Sequence, residues 1–139
     1  MLGGVEIPFE KGLLGHSDSD VLTHAICDAL LGAAALGDIG THFLDSDPRC
    51  AGASSLDFLA RAVQLITERG YSIANVDSTV FAEQPRLRPH IDSMRESLAS
   101  SLGIGVDQVS VKAKTNEGLE SIGRGEAMAA QAVVLLHKT

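Results

Sequence analysis

The apolar stretch AMAAQAVVLLH, residues 127–137, restricts the fold of this chain more than any other segment. Its length and aliphatic residues predict a β-strand, and the scarcity of polar residues in it predicts burial on both faces. A chain of 139 residues is long enough for one core but not for two. We therefore expect a single domain over residues 1–139, with part of the apolar strand buried in an oligomer.

Helix and strand patterns alternate along the rest of the chain. An extended segment is predicted around Leu2 to Pro8, followed by an N-cap at Ser17 to Asp20. Three helices and two further strands follow, and their predicted bounds are Val21 to Leu36, a helix from Ser54 or Ser55 to Gly70, the strand Asn75 to Ala82, a helix from Pro89 to Gly103, and the strand Val109 to Ala113. The fold class is therefore α/β, an α+β sandwich in which helices cover one face of a mixed sheet.

Charge and composition exclude several classes of protein. The formal net charge of -7 argues against a nucleic-acid or membrane-surface partner, because both need a basic surface. No apolar run is long enough for a membrane span, and the N-terminus lacks the pattern of a signal peptide, so we expect a cytoplasmic protein. Cys27 and Cys50 are far apart in the sequence and are interpreted as free thiols.

The first predicted helix carries an unusual polar stripe. Asp20, His24 and Asp28 are spaced four residues apart and therefore lie on one face of an otherwise apolar helix. In one interpretation the stripe faces a cleft where His24 binds a metal or a phosphate. In the other, Asp20 is an N-terminal acid, His24 is a half-buried histidine with a hydrogen-bond partner, and Asp28 is a surface charge.

Residues around this helix favour a site for an anion. His16 and Ser17 precede the first turn, where unpaired N–H groups attract phosphate. The acidic side chains of Asp45 and Asp47 could accept hydrogen bonds from sugar hydroxyls or hold a cation. Positive charge for a phosphate would come from a scattered set of cations, which are Arg86, Arg88, Lys112, Lys114 and Arg124.

Several segments together resemble the 2-C-methyl-D-erythritol 2,4-cyclodiphosphate synthases of the non-mevalonate isoprenoid pathway. The segments are GGVEIPFEKGLLGHSDSDVLTHAICDALLGAAALGDIG, FLDSDPR, NVDSTVFAEQPRLRPHI, VKAKTNEGL and GRGEAMAAQAVVLL. The resemblance runs the full length of the chain. It implies a homotrimer around a threefold axis with an active site at each subunit interface, and a phosphorus–oxygen lyase that cyclises 4-diphosphocytidyl-2-C-methyl-D-erythritol 2-phosphate and releases CMP.

The resemblance also implies roles for particular residues. His24 would bind zinc and Glu117 would bind magnesium, while His16 and Thr115 would act on the transition state. The attacking phosphate, the ribose, the methylerythritol hydroxyls, the cytosine and the diphosphate would be bound by a larger set, which comprises His16, Ser17, Asp38, Ile39, Gly40, Phe43, Asp45, Asp47, Ala82, Pro85, Arg86, Leu87, Arg88, Lys114, Thr115, Asn116, Glu117, Ser121 and Arg124. Ser121 and Arg124 correspond to positions lining a central cavity of the trimer that holds isoprenoid diphosphates.

The chain departs from the family pattern at the zinc site. The family carries an Asp-x-His pair on an N-terminal strand, and this sequence has no Asp-x-His and begins past that strand. A catalytic zinc site needs three protein ligands, so we expect weak zinc binding and slow cyclisation from these 139 residues. The alternative function is a non-catalytic trimeric module that binds a cytidine nucleotide or an isoprenoid diphosphate.

Overall fold

Three strands form one mixed sheet with helices on one side of it. The computed structural model describes residues 1–8, 20–43, 53–123 and 127–139. Strands β1, β2 and β3 are Tyr71–Phe81, Val109–Lys114 and Ala129–Lys138. Helices α1 to α5 are Val21–Ala33, Ile39–His42, Ser55–Glu68, Ile91–Leu102 and Glu120–Gly123, and single 3-10 turns occupy Arg88–His90 and Val106–Gln108.

The sheet has the order β2-β1-β3, with β1 in the centre. β1 runs parallel to β2, where Val76 pairs with Val109 and Phe81 with Lys114. β1 runs antiparallel to β3, from the Tyr71–Lys138 pair to the Phe81–Ala129 pair. The predicted mixed sheet with helices on one face is therefore confirmed. A consequence for function is that the carboxyl ends of β1 and β2 meet at the same edge of the sheet.

The core lies between this sheet and the three long helices. α1 packs on β3 and on α3, and α4 packs on β2. Leu22, Leu30, Ile66, Met94 and Leu98 are fully buried there, together with the inward residues of the strands. Among the described residues, no helix is long and apolar enough to cross a membrane.

The expectation that the last strand is buried on both faces is wrong for the single chain. Alternate residues of β3 point to opposite faces, and Ala132 and Val134 pack against the core. On the opposite face, Val133 is 72% exposed and Leu135 is 59% exposed. One layer of helices covers only one face of a sheet. The apolar side chains on the other face of β3 therefore stay exposed in the single chain.

The same outer face of the sheet carries an ion pair. Lys112 of β2 lies 2.9 Å from the Asp77 carboxylate of β1, and both side chains are nearly half exposed. The hydrogen bond from Lys112 lowers the pKa of Asp77 below its usual value. Lys112 was predicted as one of the cations available to a phosphate, but its amino group is paired on this face instead.

Helix ends follow local signals in two helices and depart from the prediction in one. Ser54 caps α3 in a reciprocal capping box with Asp57, and Gly103 ends α4 in the left-handed conformation. α1 ends at Ala33 and not at Leu36, because Ala35 adopts a positive φ of 57° and the Leu36 N–H bonds back to the Leu31 carbonyl. Alanine rarely takes that conformation, so the sequence did not reveal the stop.

Candidate active-site cleft

Asp20 at the start of α1 is a structural residue. Its carboxylate is almost fully buried and accepts hydrogen bonds from the Gly3 N–H at 2.8 Å and the Gly4 N–H at 2.7 Å. It also caps α1 by accepting from the backbone N–H of Thr23 at 3.0 Å and the hydroxyl of Thr23 at 2.7 Å. Residues 2–5 are thus a tight turn held to α1, not the predicted extended segment.

His24 and Asp28 also have partners within the protein. Nε2 of His24 lies 2.9 Å from the hydroxyl oxygen of Ser55, the first residue of α3. The exposed Asp28 carboxylate accepts from the backbone N–H of Ile39 at 2.8 Å and so fixes the start of α2. Each residue of the polar stripe therefore joins α1 to a different segment.

Asp38 occupies the N-cap of the short helix α2. Its carboxylate accepts from both the hydroxyl and the backbone N–H of Thr41, at 2.8 and 3.0 Å, and these bonds lower the pKa of Asp38. Asp38 and Gly40 are exposed and available to a ligand. Phe43, by contrast, is buried and stacks on Phe58 with ring centroids 5.1 Å apart. Any substrate contact from Phe43 must therefore come from its backbone.

A cleft of about 510 Å³ opens where β1 and β2 end. Its walls are the segment that follows β1 and the last residues of β2. Seven residues predicted to bind substrate line it, which are Ala82, Pro85, Arg86, Leu87, Arg88, Lys114 and Thr115. Ala82 and Leu87 are buried in its floor, whereas Arg86, Arg88 and Lys114 are exposed. The cleft thus combines an apolar floor with a cationic rim.

The segment after β2 forms a tight turn beside this cleft. The Leu119 N–H bonds to the Asn116 carbonyl at 2.9 Å, and the Asn116 side-chain amide donates to the Leu119 carbonyl at 2.8 Å. Glu117 and Gly118, the two central residues, have positive φ values of 51° and 77°, as in a type I′ turn. Glu117 is exposed at the tip of this turn.

A carboxylate absent from our predicted site residues joins the two walls. The Asn116 backbone N–H donates to Oε2 of Glu83 at 3.0 Å, and Glu83 also lines the cleft. In the sequence, Glu83 is distinguished only by its position within the segment 82–88. Its partner could not be identified without knowing that β1 and β2 are parallel neighbours.

Several predicted site residues lie outside the cleft or outside the described residues. In the single chain, the lining of the cleft does not include His24, Asp38, Ile39, Gly40 or Phe43. Ser121 is half-buried on α5. The remaining predictions fall on residues the structure does not describe, which are His16, Ser17, Asp45, Asp47 and Arg124.

The donor sets suit the two predicted metals differently. Among the described residues, no three histidine, cysteine, aspartate or glutamate side chains cluster as they would around a metal ion. Zinc would need such a set, and His24 offers one imidazole beside a serine hydroxyl. Magnesium is commonly held by one carboxylate together with substrate phosphates, and the exposed Glu117 meets that requirement.

Comparison with known proteins identifies close relatives over nearly the whole chain. A relative from Burkholderia thailandensis named 2-C-methyl-D-erythritol 2,4-cyclodiphosphate synthase is 58% identical over 136 residues, which are 98% of this chain and 84% of that protein. A solved bifunctional IspDF from Campylobacter jejuni has a TM-score of 0.92 at 40% identity, covering 100% of this chain and 38% of the other.

A second solved relative contains a bound nucleotide. It is a 2C-methyl-D-erythritol-2,4-cyclodiphosphate synthase in its CDP-bound form, with a TM-score of 0.89 at 39% identity over 99% of this chain and 89% of the other. The family model described as the YgbB family matches residues 1–137. The resemblance noted from the sequence segments is thereby confirmed, and the chain belongs to the YgbB family.

Proposed function

We propose that this chain cyclises 4-diphosphocytidyl-2-C-methyl-D-erythritol 2-phosphate to 2-C-methyl-D-erythritol 2,4-cyclodiphosphate and releases CMP. Its relatives are named for this synthase activity, and one solved relative is a CDP-bound form. The observation that most supports the proposal is the 510 Å³ cleft, where seven residues expected to bind substrate come together from two separate segments. The enzyme class is a phosphorus–oxygen lyase of isoprenoid biosynthesis.

The cleft has the chemistry that a cytidine diphosphate group requires. Its volume lies within the usual range for small-molecule sites, and the buried Ala82 and Leu87 give a pyrimidine ring an apolar surface. The exposed cations Arg86, Arg88 and Lys114 can neutralise a diphosphate in a protein whose net charge is -7. We assign cytosine recognition to the backbone of residues 82–88 on the family resemblance.

The reaction requires positioning more than protein nucleophiles. An oxygen of the substrate's 2-phosphate attacks the β-phosphorus in line, and a new phosphorus–oxygen bond forms. The bond from that phosphorus to the bridging oxygen breaks, and CMP leaves with the electron pair. The substrate thus supplies its own nucleophile, and the protein contributes orientation and positive charge. We assign transition-state contacts to Thr115 and His16.

Magnesium and zinc enter this proposal differently. Glu117 would hold magnesium together with substrate phosphate oxygens, and the ion would supply charge neutralisation there. The tight turn presents the Glu117 carboxylate to solvent beside Thr115, a residue of the cleft. For zinc, the described residues offer only His24 of the expected set, so no step is derived through that metal.

The active unit is proposed to be a homotrimer in which neighbouring chains complete each site. Asp38 and Gly40 do not line the cleft of their own chain, although both are exposed. Val133 and Leu135 form an exposed apolar patch on the outer face of the sheet, which is the kind of surface that subunits bury. Light scattering should therefore give about three times the chain mass of 14.5 kDa. A stable monomer at micromolar concentration would contradict this assembly. The cytoplasm remains our predicted compartment.

Turnover should be tested with the synthesised substrate and Mg²⁺, with CMP and the cyclic product followed by ³¹P NMR. We expect Glu117→Gln to reduce turnover about 100-fold or more, because its carboxylate holds charge at the reacting phosphates. The matched control is Glu96→Gln, an exposed glutamate on α4, which should leave the rate unchanged. Equal rates in both variants would refute the role of Glu117.

The affinities for CMP and AMP, measured by calorimetry and considered together with the turnover assay, distinguish the enzyme from the alternative binding module. Preferential binding of CMP without any turnover would favour the module. Equal affinity for the two nucleotides would count against the assignment of the cleft to cytosine.

A further inference from the structure

Glu83 continues the pairing of β1 and β2 beyond the end of the sheet. The last backbone bond of this pair runs from the Ala82 N–H to the Lys114 carbonyl at 2.9 Å. Two residues after Lys114, beyond the end of β2, the Asn116 N–H donates to the Glu83 carboxylate at 3.0 Å and not to a backbone carbonyl. A side chain therefore links the two segments at the point where they diverge around the cleft.

The segment held by this bond has a demanding conformation. Glu117 adopts a positive φ of 51°, a region that residues with a Cβ rarely occupy. Such a conformation persists only where the surroundings fix it. Four hydrogen bonds among the described residues hold it here: the Leu119 N–H to the Asn116 carbonyl, the Asn116 side chain to the Leu119 carbonyl, the Glu117 N–H to the Thr115 hydroxyl at 3.4 Å, and the Asn116 N–H to Glu83. Of these four bonds, the one to Glu83 ties the turn to the opposite wall of the cleft.

A carboxylate is an unexpected group to find in a cleft suited to a diphosphate. Arg86, Arg88 and Lys114 supply the positive charge, and Glu83 opposes it. The presence of Glu83 is understandable if its oxygen is needed as a hydrogen-bond acceptor. That requirement is met by the geometry at Asn116.

We propose that Glu83 is a positioning residue for the cyclisation. Its carboxylate sets Thr115 and Glu117, which belong to the phosphate side of the site, in register with the nucleoside-binding segment 82–88. It acts through Asn116 and does not itself touch the reacting atoms. This inference rests on the proposed function for its kinetic consequences, whereas the hydrogen bond can be tested without it.

Three substitutions separate acceptor geometry from charge. Glu83→Gln keeps an acceptor oxygen at the same reach but removes the charge. Glu83→Asp keeps the charge but withdraws the oxygen by one methylene. Glu83→Ala removes both. We expect the Ala and Asp variants to lose about 10- to 100-fold in kcat with KM changed less than about 3-fold, because a small misplacement penalises the transition state most. Glu83→Gln should recover most of the loss.

Hydrogen exchange and ligand binding supply readouts independent of turnover. The Asn116 N–H should be protected from deuterium exchange in the wild type and in Glu83→Gln, and unprotected in the Asp and Ala variants. CMP affinity measured by calorimetry should stay within about 3-fold of the wild type in all three variants. Glu96→Ala, an exposed change on α4, serves as the control.

Each result decides between the proposal and its rivals. If Glu83→Asp is active and Glu83→Gln is not, charge is the relevant property and the positioning role is refuted. If the Ala variant does not fold, Glu83 is a stability contact and the positioning role is refuted. If the Ala variant turns over normally, Glu83 contributes nothing to the reaction and the role is likewise refuted. If the wild type itself gives no CMP, the proposed function fails, and exchange at Asn116 still tests the hydrogen bond.

Discussion

Removal of the Asp20 carboxylate should destabilise the fold more than any other cap substitution in the described chain. The carboxylate accepts four hydrogen bonds from Gly3, Gly4 and Thr23 while almost wholly buried. Losing the N-cap costs about 1 kcal/mol, and each buried N–H left without a partner costs about 1–3 kcal/mol. Because the bond from Gly4 is only partly buried, its loss counts at the low end. We expect Asp20→Ala to lose about 3–5 kcal/mol of unfolding free energy.

The change should be measured by urea unfolding followed by circular dichroism. With a denaturant dependence of about 2 kcal/mol per molar urea, the midpoint should fall by about 2 M. All variants must be compared at one protein concentration, because association would couple stability to concentration. Asp20→Asn should be intermediate, since its amide retains one acceptor oxygen but turns an NH₂ group towards the donors.

The exposed cap of α3 provides a matched control. Ser54→Ala also removes an N-cap, but the donors that it leaves can bond to water, so a loss of about 1 kcal/mol is expected. If Asp20→Ala shifts the midpoint no more than Ser54→Ala does, then the bonds between the 2–5 turn and α1 contribute little, and the reasoning from burial is wrong.

Three further predictions concern other parts of the fold. The hydrogen bond from Lys112 lowers the pKa of Asp77, so the pair stabilises the folded state above the usual pKa of 3.8. This contribution is lost as pH falls through the lowered value. The difference in melting temperature between wild type and Asp77→Asn should therefore become smaller from pH 6 to pH 3. Burial raises the pKa of Cys27 to about 12, and Asp28 adds a smaller effect in the same direction. In a Cys50→Ser variant, where Cys27 is the remaining cysteine, a thiol reagent at pH 8 should label the protein only as fast as it unfolds. Rapid labelling would refute this prediction. Gly123→Ala would drive a Cβ into the Gly118 carbonyl carbon, so turnover should fall at least about 10-fold while circular dichroism still shows a folded core. Unchanged turnover would mean that the 116–123 segment is not part of the site.

Local signals in the sequence predicted those parts of the fold that depend on near neighbours. The α3 cap at Ser54 and the left-handed stop at Gly103 follow from bonds within a few residues. The turn at residues 2–5 was missed because it is fixed by Asp20, which lies 16 and 17 residues from its partners. β1 begins at Tyr71, four residues before the predicted start, since pairing with β3 extends it.

The candidate site shows the same division. The family resemblance predicted site residues in the segment 82–88 and at the end of β2, as two unconnected sets. Their convergence depends on the parallel pairing of β1 with β2, which no short-range pattern encodes. Phe43 shows what the resemblance alone could not reveal, because its ring packs on Phe58 and leaves only its backbone for the predicted substrate contact.

The position of β1 in the middle of the sheet has a consequence for biosynthesis. β1 is translated before either of its partners, and its pairing with β3 joins Tyr71 to Lys138 across nearly half of the chain. On the ribosome, β1 must therefore wait with both edges open, first for residues 109–114 and then for residues 129–138. Nascent strands with unpaired edges invite association with other chains. We expect folding yield to depend on translation speed and on chaperones that cover β1 during this interval, more than the modest size of the domain would suggest.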